Sequence, residues 1–352
     1  MNSQNDSSVK QSKAPLISAF LIFLALGVVA FIKSAKEPEL QLPLGLELEK
    51  YIVPIDNPMT LKKVKLGYLL YFDERLSGDG TIACASCHDP ERAFTDGGSV
   101  STGIDGQQGN RSAPTVINRA FSTLQFWDGR ATSLEEQAKG PLTNPIEHGL
   151  KDNDEAVARI AAINGYREMF RKVFNREVNI DDLARAIAAF ERTVLSGNSR
   201  FDQFAPENES ILTESEVRGM RLFNGKGMCA LCHKGANFTD EKFHNIGVGM
   251  NSPNHDPGRG GITGEKSDMG AFKTPTLREI TKTGPYMHDG SMETLREVVE
   301  FYNKGGEKNP NLSEKIVPLK LSETEIDDLT NFMTTLEGIG WQGIKPPETF
   351  PQ

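Results

Sequence analysis

All four cysteines of this chain fall in two copies of one pentapeptide, Cys84-Ala85-Ser86-Cys87-His88 and Cys229-Ala230-Leu231-Cys232-His233. C-x-x-C-H is the attachment signature of a c-type haem. Residues three and four apart share one face of a helical turn, so two thiols and one imidazole can reach two vinyl groups and the iron together. A zinc site or a disulfide is the competing reading of paired cysteines, but zinc sites rarely put a histidine directly after the second cysteine twice. The motifs predict two covalent haem c groups, held through Cys84 and Cys87, and through Cys229 and Cys232. His88 and His233 are the proximal iron ligands. No cysteine is then left for a structural disulfide.

The 352 residues are enough for about two domains. Charged residues make up 25% and hydrophobic ones 38%, as in a soluble globular chain. The start is the exception. From Pro15 to Ile32 the chain is apolar and uncharged, flanked by Lys10, Lys13, Lys33 and Lys36. That is close to the ~17–20 residues of a membrane span, and it also fits the core of a signal peptide. Lys33 in the −3 position of a cut after Ala35 favours an uncleaved anchor over residues 1–36. Either reading sends the remainder across a membrane, into a periplasm. The whole chain has a formal charge of −9, and removing those four lysines leaves the rest more acidic. Such a surface argues against nucleic acid and suits a basic partner such as a small cytochrome c.

The two halves repeat each other. A glycine-containing helix precedes each haem motif, and Phe-Thr-Asp follows each, at Phe94–Asp96 and Phe238–Asp240. One constant offset maps Pro114-Thr115 onto Pro275-Thr276, Asp128-Gly129 onto Asp289-Gly290, Leu134 onto Leu295 and Glu136 onto Glu297. The expected fold is all-α with almost no sheet: two tandem cytochrome c-like domains with long loops, over 37–205 and 206–352. A helix is predicted from Leu61, another over Asp181–Leu195, a polar linker over Ser196–Ser210, and a capped helix start at Thr213-x-x-Glu216.

The halves also differ. Trp127 precedes the first Asp-Gly; it reads either as a core aromatic or as a stepping stone for electrons. The helix after it carries Gln137 and leads to Asn144-Pro145-Ile146-Glu147. The matching helix in the second half carries Val298 and Tyr302. With Ala113-Pro114-Thr115, Phe126-Trp127-Asp128-Gly129-Arg130, Phe272 to Leu277 and Pro285 to Gly290, these motifs make the chain from about Leu61 to Leu336 resemble the bacterial di-haem cytochrome c peroxidase family, in its MauG-like branch.

The resemblance implies a division of labour. Hydrogen peroxide would bind at the haem on His88, with Glu147 as acid–base catalyst and Gln137 beside it. Trp127 would lie between the haems. The haem on His233 would be six-coordinate and would take electrons from a small periplasmic cytochrome c or cupredoxin. A calcium ion would be held by Ser112, where asparagine is usual, and by the carbonyls of Thr283 and Pro285. Homodimers are common in that family. Two departures stand out. Many members block the peroxide haem with a histidine from a loop, here Gly97–Asn110 with Ile104 near the ligand position. None of the six histidines lies between His88 and His148, so that haem is expected to be open. Many members also place a methionine over the second haem. Tyr302 occupies the matching position, with Met287, Met292 and His288 as nearby alternatives. Gly227 departs from MauG, which has a tryptophan near that position. The alternatives to a peroxidase are a MauG-like oxidase that modifies aromatic residues of a partner protein through high-valent iron, and a di-haem electron carrier.

Overall fold

Gly67 and Gly219 show why the two halves pack alike. The computed structural model describes residues 41–352, and eight helices of nine or more residues organise them. These are α1 (Leu61–Tyr71), α2 (Leu134–Thr143), α3 (Asn153–Ala161), α4 (Asn164–Phe174), α5 (Ile180–Glu191), α6 (Glu214–Asn224), α7 (Leu295–Asn303) and α8 (Glu323–Thr334). The helix before each haem motif crosses the last helix of its half, α1 on α5 and α6 on α8. A Cβ on Gly67 would collide with the carbonyl oxygen of Ala186, and one on Gly219 with that of Asp328. Both crossings are backbone-to-backbone, and only glycine admits that separation. The only sheet among the described residues pairs β1 (Phe243–His244) with β2 (Phe272–Lys273), antiparallel.

The offset seen in the sequence is reproduced in the backbone. Asn118 and Glu279 both turn left-handed (φ +60°) ahead of short 3-10 turns. Phe126 and Met287 have positive φ, as do Gly129 and Gly290. The bridge Gln125↔Ala131 matches Tyr286↔Met292. Leu134 and Leu295 each start a helix behind a capping hydroxyl, Ser133 and Thr294. Two hydrophobic clusters form, one around Leu66, Leu70, Phe94, Ile187 and Phe190, the other around Phe223, Phe238, Leu329 and Phe332.

Three expectations need correction or limits. The helix predicted to Leu195 ends at Glu191; Thr193 Oγ1 then donates to the Phe190 carbonyl as the chain turns. The first part of the expected linker, 196–205, is packed, while Pro206, Glu207, Glu209 and Ser210 are exposed. Ser196 and Ser199 are fully buried, Ser199 caps a turn at Arg200–Gln203, and Asp202 forms a buried ion pair with Arg278 at 2.7 Å. The polarity of that first part reflects buried pairing, Ser196 with Glu279 and Asp202 with Arg278. The expected membrane anchor lies outside the described residues, and no described helix is long and apolar enough to cross a membrane.

Candidate functional site

Each haem motif opens onto its own cavity. Cys84–Cys87 form one helical turn, and Cys229–Leu231 a 3-10 turn. Cys87 and His88 line the first cavity; Cys229, Cys232 and His233 line the second. Each encloses about 1590 Å³ of empty space, counting the part open to solvent. His88 Nδ1 lies 3.3 Å from the Phe94 carbonyl, and His233 Nδ1 3.0 Å from that of Phe238. A carbonyl only accepts, so each Nδ1 carries the proton and each Nε2 keeps its lone pair. That is the arrangement a metal-bound imidazole needs. All four cysteines are free. Burial pushes the Cys87 thiol up to about 11 and that of Cys229 to about 12. Cys84, Cys87 and His88 do not converge as a metal-ligating group; among the described residues only Cys232, Asp240 and His244 do. The free thiols and Nδ1-protonated imidazoles beside each cavity fit thioether-linked haem at both motifs, and in neither motif do the paired cysteines and their histidine converge on one metal position.

Part of the wall of the first cavity is built locally. Asn144 Oδ1 accepts from the Ile146 amide (3.0 Å), an Asx turn that Pro145 pre-forms, and Asn144 Nδ2 donates to Glu147 Oε1 (2.7 Å). Glu147 and Gln137, from α2, both line the cavity. Burial raises the Glu147 pKa, only partly offset by the charge of Arg130 and the Asn144 hydrogen bond. Ile104 does not line this cavity. Its amide donates to the Glu147 carbonyl (3.1 Å), and its side chain packs beside Gly149. The loop that carries it thus supports the turn bearing Glu147. His148 is buried, bonded through Nδ1 to the Leu76 carbonyl (2.9 Å), and does not line the cavity.

Trp127 lines both cavities. Its indole Nε1 donates to the Ser112 carbonyl (2.9 Å), and its own carbonyl accepts from the Lys273 amide (2.8 Å). The Ser112 amide in turn donates to the His288 carbonyl (2.8 Å). The ring is therefore pinned between the halves. Ser112, Thr283 and Pro285 all border the second cavity. Tyr302 reaches the same cavity from α7, beside Met287 and His288; Met292 does not line it. His288 is stacked on Phe272 at 3.7 Å. Burial pushes the Tyr302 phenol well above its usual range. Asp128 binds Arg111 and Arg130, a loop-holding role, and Arg130 lies 3.5 Å over the Phe126 ring.

One lining residue escaped the sequence reading. Glu191 belongs to the first cavity and is buried. Its signal was its position: it follows Ile187 by four on the apolar stripe of α5, where a charge needs an explanation.

A mostly helical chain with two cavities, each bordered by a haem-attachment motif and sharing a wall that includes Trp127, is a di-haem c-type oxidoreductase. The chain belongs to the di-haem cytochrome c peroxidase family. Residues 61–210 match the family model for di-haem cytochrome c peroxidase. The chain is 42% identical to the methylamine utilization protein MauG of Methylorubrum extorquens, over 81% of this chain and 80% of that protein. It is 37% identical to the cytochrome-c peroxidase IdrP1 of Pseudomonas sp. strain SCT, over 88% and 89%. Its fold matches the crystal structure of a MauG-like protein associated with microbial copper homeostasis, with a TM-score of 0.77 and 37% identity over 84% of this chain and 96% of that one. The family carries two haem c groups.

Proposed function

We propose that this protein is a periplasmic peroxidase that reduces hydrogen peroxide to water. Its electrons come from a small cytochrome c or cupredoxin, enter through the domain of His233 (206–352) and pass by Trp127 to the domain of His88 (37–205). The observation that carries this reading is the wall of the first cavity: Glu147 and Gln137 line it together with His88. Haem at this site supplies the iron that binds peroxide and accepts electrons. The chain supplies the proton handling. Heterolysis of the O–O bond needs a proton moved from the inner to the outer oxygen. Glu147 Oε1 is held by Asn144, which leaves Oε2 for that proton. A carboxyl raised toward neutrality by burial both takes and returns a proton more readily than a solvated one. Gln137 is the neighbouring amide that orients the peroxide. We also propose that Tyr302 closes the second haem, and that calcium binds at Ser112, Thr283 and Pro285.

A MauG-like oxidation of aromatic residues on a partner protein is the second reading. The 42% identity to MauG and the tyrosine at 302 favour it; Gly227 weighs against it. Mixing the ferric protein with peroxide and then with reduced cytochrome c separates the two. Fast turnover supports the peroxidase; a long-lived oxidised species with negligible turnover supports the oxidase. A ferric spectrum that is purely low-spin at room temperature would overturn the open-haem reading on which both depend.

A further inference from the structure

Glu191, in the last turn of α5, has no ion pair and no hydrogen-bond partner for Oε2. Its side chain is only 6% exposed, yet it lines the first cavity. The charges around it are committed elsewhere. Arg192, on the same helix, donates to Glu135 of α2 (2.7 and 3.0 Å) and to the Ile52 carbonyl (3.0 Å). Arg119 donates to Gln125 Oε1 and the Leu124 carbonyl. Glu135 faces Glu191 with like charge, and Tyr71 and Cys84 face it from the haem-motif side. The other ionisable groups lining the cavity are Cys87, His88, Arg111, Asp128, Arg130, Glu147 and Lys273, whose ammonium lies 3.5 Å from Glu241.

An ionised carboxylate in such a place lacks both water and a partner, so the neutral acid is favoured. Burial pushes its pKa up to about 8, against the opposing pull of Arg192. The proposed reaction consumes protons from outside: H2O2 + 2 e⁻ + 2 H⁺ gives 2 H2O. Glu147 shifts a proton between the two peroxide oxygens, which supplies none of that pair. We propose that Glu191 is the proton-loading group of the His88 haem site, binding one proton when that site gains one electron and releasing it when the electron leaves. The electron comes from a one-electron reductant, a ferrous cytochrome in the cell or a chemical reductant in the cuvette. An added electron in a low-dielectric cavity raises the affinity of a nearby carboxylate for a proton. The inference rests on the reading that the His88 haem receives electrons, but not on peroxide as the substrate.

Potentiometric titration of the holoprotein tests it without peroxide. Between the pKa of Glu191 with the haem oxidised and its higher pKa with the haem reduced, the midpoint of the His88 haem is expected to fall with rising pH; below that window the acid is protonated in both states and the midpoint should be flat. The limit is ~59 mV for each tenfold change in proton activity, the value for one proton per electron. In Glu191→Gln the slope should drop below half of the wild-type value, while Glu147→Gln keeps it and the His233 haem is unchanged in both. Glu191→Asp, which keeps a carboxyl, should retain the slope. Reduced-minus-oxidised infrared spectra of the wild-type holoprotein provide a reading that needs no variant: a protonated-carboxyl C=O band should grow on reduction and shift in D2O. A wild-type midpoint independent of pH, an undiminished slope in Glu191→Gln, or the absence of that band overturns the proposal. Loss of peroxide turnover with the slope intact would sink the peroxidase reading and leave this one standing.

Discussion

Glu147, Tyr302 and Asp202 are each buried in part, yet their surroundings set them different tasks. Glu147 keeps one oxygen for a proton. Replacing it with Gln should lower kcat by ~10²–10⁴-fold, the usual contribution of a positioned acid–base group, with little change in the ferric spectrum of the His233 haem. Tyr302→Phe removes only a hydroxyl; the low-spin signal of that haem should change, and an identical signal would exclude Tyr302 as its ligand. Asp202 is held by Arg278 in a pair that is almost wholly buried. Burial alone would raise its pKa, but the hydrogen bonds and charge of Arg278 outweigh it and keep it below the usual range. A depressed carboxyl stabilises the fold fully above the unfolded value of ~3.9 and loses that contribution as pH falls through the folded value. Asp202→Asn should therefore cost about 3–5 kcal/mol at neutral pH, by leaving Arg278 buried and uncompensated. Denaturant titration at pH 7 checks it, and the gap to wild type should narrow below about pH 4.

At the scale of elements, the repeat was legible because it is written in residues whose backbone needs are local. Asp-Gly, Pro-Thr and the Leu and Glu of a helix start recur at one offset, and each marks a turn or cap. The capping box at Thr213 and Glu216 was legible for the same reason. The packing of 196–205 was not, because Ser196 and Asp202 are satisfied by residues far away in the chain, Glu279 and Arg278. Glu191 was hidden within a helix whose pattern is otherwise apolar on that face. Helix crossing was half legible; glycine was visible, its partner was not. Gly67→Ala and Gly219→Ala each force a methyl onto a carbonyl of the facing helix. Each should destabilise by at least the ~1–3 kcal/mol of ordinary overpacking. Thermal unfolding followed at the two haem bands should report Gly67→Ala first at the His88 haem and Gly219→Ala first at the His233 haem.

Across the whole molecule, the two clusters do not divide where the sequence does. Trp341 sits in the first cluster, 5% exposed, with Ile344 and Phe350 packed against it. The amide of Gly165 donates to the Gln352 carbonyl at 2.7 Å, and Arg75 Nη1 donates to the Pro351 carbonyl at 3.1 Å. The acidic and aromatic end of the sequence, with Trp341, reads as packing, and it packs; no short-range pattern tells which half it packs against. Removing residues 341–352 should loosen the half around His88, visible as faster proteolysis within α3 and α4, while the half around His233 keeps its protection.

A chain is synthesised from its N-terminus, and domains generally close in that order. Here the earlier core lacks its last aromatic until the final residues arrive. The first half cannot be finished before the second has been made. An enzyme that must reach Cys84 and Cys87 thereby meets a half whose core stays incomplete until Trp341 has joined it.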